Sequence, residues 1–280
     1  MSEVDLHDQV AFVTGAGRGI GRAIALKLAR AGCDVVLAAR TTSQLEEVAA
    51  EIRKTGRRAL PAPTDVTDEE SVQNSMDLAV NTFGRVHILV NNAGSNNGGP
   101  NGSIGPLWEI NAKAWWRDVE INFLGTVLCS KAALAHMVVN KQGRIINISS
   151  MSAARVAAFD SAYACAKASV CRLTESVAAE VEPHGISVFA VSPGPVRTAL
   201  TEGVFETEAG AVWLGDLSTS LKDNWQSPEV TAEFVAELAS GRADALTGRF
   251  FRVTDDLGDL IDRAADIRRA GTHQLCYVPG

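Results

Sequence analysis

V-A-F-V-T-G-A-G-R-G-I-G-R-A-I-A-L-K-L-A-R-A-G, residues 10–32, decides the fold. Val10 to Thr14 form a short apolar run that reads as a buried strand. A turn with glycines at 15, 19 and 21 follows, and apolar residues at helical spacing then lead to a glycine stop at Gly32. Glycine has no Cβ, so the backbone can come close to a pyrophosphate, whose charge is met by the free N–H groups and positive dipole end of the helix. The spacing is G-x-x-x-G-x-G, and the common G-x-G-x-x-G is absent. A glycine cluster alone is often only a turn; between a strand and an apolar helix it points to dinucleotide binding.

Moving outward, D-V-V-L-A-A (34–39) reads as a second buried strand, with Arg40 directly after it. Many NAD sites carry an acidic residue about 20 residues beyond the glycines to bind the ribose 2′-hydroxyl. Here the strand ends in Ala39-Arg40, and a guanidinium, with Arg18 inside the turn, suits a 2′-phosphate. NADP(H) is therefore the preferred cofactor, with NAD(H) left open. The pattern then gives a helix over 44–55, a strand over 58–62, a helix over 68–83 begun by a Thr67/Glu70 capping box, and a strand over 87–91 ending in N-N-A-G. In the T-D-V-T between strand and helix, Asp65 can accept from an adenine amino group. Apolar strands alternating with helices imply a parallel sheet covered on both faces, with ligands beyond the carboxyl ends of its strands.

Residues 95–106 are rich in Asn, Gly and Pro and read as a loop. A helix over 111–140 carries Asn122, together with Trp115 and Trp116 as packing groups; 144–148 is a fifth strand. It leads into N-I-S-S-M-S-A-A-R-V-A-A-F-D-S-A-Y-A-C-A-K (147–167). Tyr163 and Lys167 stand four apart on a helix reaching about 181, so both leave one face and the ammonium favours ionisation of the phenol. Ser150, thirteen residues upstream of Tyr163, offers a hydroxyl to a substrate oxygen. Y-x-x-x-K alone occurs on many solvated helix faces; its surroundings give it weight. A sixth strand (186–191) runs into S-P-G-P-V-R-T. A less regular segment (199–227) with Phe205, Trp213, Leu214 and Trp225 suits a loop closing over an apolar or ring-shaped substrate, and a helix (229–240) and a seventh strand (249–253) follow.

Composition narrows the function. Of 280 residues, 46% are hydrophobic and 21% charged, and the net charge is −7 with no Lys/Arg block longer than two, which argues against nucleic acid. An acidic N-terminus without an apolar core, and no long uninterrupted apolar run, point to a soluble cytoplasmic protein without a membrane partner. Cys33, Cys129, Cys165, Cys171 and Cys276 are scattered, as are the five histidines, so reduced thiols and no metal site are expected. No repeat or linker divides the chain, which reads as one domain, with a substrate loop over 195–227 and a tail over 255–280.

T-G-A-G-R-G-I-G, N-N-A-G, Asn122, Ser150, Y-A-C-A-K and P-G-P-V-R-T, in this order and at these separations, make residues 8–254 resemble the short-chain dehydrogenase/reductase family. The second strand's V-V-L-A-A-R is similar to its NADP-dependent, ketoacyl-reductase-like branch. The resemblance implies a doubly wound, seven-stranded Rossmann fold and hydride transfer between NADP(H) and a carbonyl or secondary alcohol. It implies Tyr163 as general acid/base, Lys167 lowering the phenol's pKa and binding the nicotinamide ribose, Ser150 orienting the reacting oxygen, and Asn122 positioning a relay water. By the same resemblance Gly15, Arg18, Gly19, Ile20 and Gly21 line the pyrophosphate and adjacent ribose. Asp65 and Val66 meet adenine, Asn92 and Ala93 the central region, and Val196 and Thr198 the nicotinamide amide. Members are commonly homodimers or homotetramers joined through the helices that here hold Asn122 and Tyr163. The charged helix and T-H-Q-L-C-Y-V-P-G after residue 254 depart from the pattern. Two other readings stay open: a nucleotide-sensing protein that has lost turnover, against which Tyr163 and Lys167 stand, and an extended sugar-nucleotide epimerase, against which the glycine spacing stands.

Overall fold

Strands buried on both faces need apolar residues on both sides of the pleat, and the chain supplies them. β1 (Val10–Thr14), β2 (Asp34–Ala39), β4 (Ile88–Asn91), β5 (Gly143–Ile148) and β6 (Ile186–Ser192) are buried almost throughout, with β3 (Ala59–Pro63) and β7 (Phe250–Arg252) at the edges. A computed structural model describes residues 4–99 and 101–275. The strands pair in parallel in the order β3-β2-β1-β4-β5-β6-β7, so the winding reverses between β1 and β4. That reversal opens a crevice at the carboxyl ends of the central strands.

Alternation along β1 divides the core. Ala11 and Val13 face a cluster with α1 (Gly19–Arg30), α2 (Thr42–Arg53) and α10 (Pro228–Ala239), whereas Val10 and Phe12 face one with α3 (Glu69–Phe83), α5 (Gly125–Asn140) and α6 (Ser161–Val181). By length, and by the mean hydropathy of an 18-residue window within it (1.4), the continuous helical stretch Ala112–Asn140 would pass for a membrane span. Here it is a core helix, with Cys129, Ala132, Ala133 and Met137 buried against the sheet side.

Four local expectations change. The cap of α3 is Asp68, whose carboxylate accepts from the N–H groups of Glu70 and Ser71; Thr67 instead donates its hydroxyl to Asp65, so a one-way aspartate cap replaces the expected Thr67/Glu70 box. The helix expected over 111–140 is α4 (Ala112–Val119), capped by Asn111, then a π-helical turn over Glu120–Leu124, then α5. The wide turn falls on Asn122, and such turns collect at functional sites. Residues 199–227, expected to be irregular, form α7 (Ala199–Phe205), α8 (Glu208–Trp213) and α9 (Gly215–Lys222), because Thr198 and Thr207 cap two of them with their hydroxyls. Finally, β7 keeps only three of the five residues expected.

Beyond β7, α11 (Leu257–Asp262) and α12 (Ala264–Ala270) bury Leu257, Leu260, Ala264 and Ile267 in the same core as α1. The chain then returns to the open edge of the sheet, where the Phe250 N–H donates to the His273 carbonyl (2.8 Å). Cys276 lies outside the described residues.

Candidate active site

The glycine turn is a cradle that larger residues would fill. Gly15 and Gly19 have φ of +63° and +55°, a region costly to side-chain-bearing residues. A Cβ on Gly21 would stand 2.2 Å from the Gly15 carbonyl oxygen and 2.4 Å from Asn92 Nδ2. Asn92 is held across the crevice, its Nδ2 donating to the Thr14 carbonyl (2.9 Å), and the N–H groups of Asn92 and Ala93 donate to Thr14 Oγ1 (2.9 and 3.0 Å). Thr198 closes the other side: its Cγ2 lies 3.3 Å from where a Gly19 Cβ would be. The backbone at this helix start is therefore open to a phosphate group, and the residues present fit a dinucleotide.

Arg18 and Arg40 are exposed at the rim of this groove. Arg40 lies close enough to Asp65 to act on its charge. Burial raises the Asp65 carboxyl, but the N–H and hydroxyl of Thr67, with Arg117 and Arg40, hold it below the usual carboxylate range. Ile20 is partly buried on the first turn of α1, Val66 packs beneath Gly125, and Val196 is buried and bridged to Gln226. The candidate cofactor residues thus share the carboxyl-terminal face of the sheet.

The candidate chemical residues gather where β4 and β5 end. Lys167 is 4% exposed, and its Nζ donates to the Ile148 carbonyl at 2.9 Å, which fixes α6 against the end of β5. Ser149 Oγ donates to the Lys167 carbonyl (3.0 Å), reinforcing that join. Ser150 caps the short turn Met151–Ala153 and faces the phenol of Tyr163. Asn122 is fully buried: its Nδ2 donates to the carbonyls of Ser95 (2.6 Å) and Asp118 (2.8 Å), while Oδ1 has no partner. A Cβ on Gly94 would lie 2.9 Å from that Oδ1 and 3.8 Å from Lys167 Nζ, so both polar tips border one small space.

Electrostatics depart from expectation in one respect. Burial pushes the Tyr163 phenol above its ordinary value, the Asp160 carboxylate pushes the same way, and the Ser150 hydroxyl opposes them. The expected lowering by Lys167 does not prevail. Its Nζ stands 5.5 Å from the centre of the Tyr163 ring and is turned to Ile148, and burial brings its own pKa down to about 8.

Sequence reasoning missed two carboxylates. Asp118, 1% exposed, accepts from Ser95 Oγ (2.7 Å), Ser103 Oγ and the Asn97 N–H (3.0 Å). Asp160, 5% exposed, accepts from Asn96 Nδ2 at 3.2 Å on both oxygens. They anchor the 95–106 loop to the helices of Asn122 and Tyr163. The available signal was spacing, since Asp118 lies one helical turn before Asn122 and Asp160 three residues before Tyr163. On the substrate side, Ile104 of that loop packs with Val204, Phe205, Trp213 and Leu214. Phe159, at φ +65°, packs tilted against Trp213 (4.8 Å between ring centres, planes 36° apart), and its carbonyl accepts from the Gly105 N–H (2.8 Å). Of the two tryptophans expected to pack, Trp115 is half-buried and donates to Ser161 Oγ (3.0 Å), whereas Trp116 is exposed.

Comparison with known proteins agrees with this geometry. The family model described as short chain dehydrogenase matches residues 9–209. Cis-4-hydroxycyclohexanecarboxylate dehydrogenase of Sinomonas cyclohexanicum is 40% identical over 250 residues, covering 88% of this chain and 95% of that one. Short chain dehydrogenase/reductase astE of Aspergillus oryzae is 38% identical, covering 90% and 95%. Among solved structures, a short-chain type dehydrogenase/reductase from Mycobacterium marinum superposes with a TM-score of 0.79 at 32% identity, covering 89% of this chain and 95% of that one.

Proposed function

This chain belongs to the short-chain dehydrogenase/reductase family, and on that premise we propose that it moves a hydride between NADP(H) and a secondary alcohol or ketone borne on a ring. The observation that carries the reading is the grouping of Ser150, Tyr163 and Lys167 at the end of β5, beside a glycine turn that a Cβ would block. When bound, the dinucleotide supplies or accepts the hydride, and the protein supplies placement and a proton. Gly15, Arg18, Gly19, Ile20, Gly21, Asn92, Ala93, Val196 and Thr198 would hold it along the groove, Asp65 and Val66 would meet its adenine, and Arg40 its 2′-phosphate.

The chain's own work is proton transfer. Ser150 donates to the reacting oxygen and fixes its position next to the phenol. Tyr163 gives its proton to that oxygen in reduction and takes it back in oxidation. Lys167 lowers the cost of the phenolate that reduction leaves behind, and Asn122 Oδ1, without a protein partner, would hold a relay water beside Lys167. The assignment of a ring-shaped substrate is supported by the tilted Phe159–Trp213 pair, with Ile104 and Leu214 packed beside it, and by the name of the 40%-identical relative. Association as a homodimer or homotetramer is supported by exposed apolar side chains on the helices around Asn122, Trp116 at 58% and Leu124 at 39%. The cytoplasm is the compartment this reading favours.

The test follows NADPH absorbance with cyclohexanones, quinones and open-chain ketones, and measures dissociation constants for NADPH and NADH in wild type and Arg40→Ala. Ring ketones should be turned over fastest. NADPH should bind more tightly than NADH, and the preference should fall about tenfold in the variant, the worth of one charge-assisted contact. Faster turnover of open-chain ketones would refute the ring assignment, and a preference that survives the substitution would clear Arg40.

A further inference from the structure

Three residues before Tyr163, Asp160 sits at the N-terminal boundary of α6, where an aspartate commonly caps the helix; here its side chain makes no capping bond. It is turned inward, 5% exposed, with Asn96 Nδ2 3.2 Å from each oxygen. The amide of Asn96 is thereby committed, and its own Oδ1 is left buried without a partner. Donating to both oxygens while leaving an acceptor unsatisfied is favoured only if the carboxyl is ionised or nearly so. No cation faces it among the described residues. The titratable groups around it are Asp118 on α4, itself an acid, and Tyr163 on α6, while Lys167 Nζ, a turn further on, points to the Ile148 carbonyl.

Resting on the function proposed above, we infer that Asp160 is a positioning residue for the proton transfer: an uncompensated carboxylate, held by Asn96, that opposes ionisation of Tyr163 and ties the 95–106 loop to the catalytic helix. The same side chain serves both purposes because the loop that supplies Asn96 also supplies Ile104 to the substrate-side cluster. Burial, with Asp118 adding to it and Asn96 opposing it, brings this carboxyl up to about 7, so the charge acting on the phenol itself changes across neutral pH. At a separation spanning less than one helical turn, the repulsion between carboxylate and phenolate amounts to about one pH unit in the phenol's titration.

The test is the pH profile of kcat for alcohol oxidation and ketone reduction in Asp160→Asn, an isosteric change that removes the charge and keeps the shape. The inference predicts that the rising limb of oxidation and the falling limb of reduction both move to lower pH by about one unit, because one phenol governs both. The dissociation constant for NADPH should stay within twofold. Asp160→Glu should keep the wild-type midpoint, even if a displaced loop raises KM. The phenolate absorbance of a Tyr277→Phe background, in which Tyr163 is the one remaining tyrosine, reads the same shift without turnover. A loss of kcat in Asp160→Asn with both limbs and the absorbance midpoint unmoved would make Asp160 merely structural and overturn the inference. Full turnover by Tyr163→Phe would instead strike the functional reading beneath it, so the two failures are distinguishable.

Discussion

The two ends of the sheet bury charge in opposite ways. At the amino ends of the strands, Asp34 is 4% exposed yet fully answered: Arg57 lies at 2.9 Å, Arg58 at 2.6 Å, and the Arg58 N–H donates at 2.9 Å. These partners outweigh the upward push of burial and hold its carboxyl below the usual range. Nearby, His87 accepts from the Val10 N–H (2.9 Å), and burial, with Arg85 and Arg144, takes it down to about 4, so it stays neutral at pH 7. At the carboxyl ends, Lys167 has one carbonyl for company, Asp160 one amide, and Tyr163 the Ser150 hydroxyl at its phenol, with the Lys167 ammonium over its ring. Four buried side-chain oxygens left without partners among the described residues, on Asn91, Asn96, Asn122 and Gln226, lie at that end, against two buried guanidinium Nε atoms, on Arg57 and Arg249, at the other. The amino end spends its polar groups on cohesion, and the carboxyl end keeps its polar groups available for a ligand. That contrast locates function without reference to any relative.

Exchanging a residue at each end should separate activity from stability. The larger effect belongs to Lys167→Met, expected to cut turnover at least a thousandfold, or about 4 kcal/mol of transition-state stabilisation. The same change should leave the fold no weaker. Removing a buried ammonium recovers about 3 kcal/mol of desolvation, against about 1–2 kcal/mol for the lost hydrogen bond to Ile148. Kinetics and urea denaturation on one preparation check both halves, and a strongly destabilised variant would erase the contrast. Asp34→Ala is the converse. It leaves two guanidinium groups without their anion and should cost about 3 kcal/mol, the low end for a broken buried pair because Arg58 reaches solvent and also lies 4.6 Å over the Phe83 ring. Its kcat should match wild type, and a fall in kcat with stability unchanged would show that the two ends are not separable in this way.

Much of this division can be read from the chain, because the chemistry involved is local. The strand, glycine turn and helix over residues 10–32, the alternation that builds a parallel sheet, and the four-residue spacing of Tyr163 and Lys167 all follow from short-range geometry. What was not legible depends on partners brought from afar. The π-helical turn at Asn122 answers to Ser95, 27 residues away, and the seats of Asp118 and Asp160 depend on a loop whose Asn/Gly/Pro composition says only that it turns. The direction of the phenol's shift is hidden for the same reason. Helical spacing reveals a neighbouring ammonium, whereas burial and an acid three residues away prevail only once the fold has closed over them. The helices of 199–227 hinge on Thr198 and Thr207, caps that are visible in the sequence but carry little weight there because the stretch has no long apolar period.

The most direct test removes a single oxygen. Tyr163→Phe keeps the ring against Lys167 and deletes only the group that exchanges the proton. NADPH should bind to this variant within about twofold of wild type, while turnover of every ketone that wild type accepts falls by three orders of magnitude or more. Retention of most of the turnover at unchanged cofactor affinity would contradict the assignment of acid/base chemistry to the carboxyl end of the sheet.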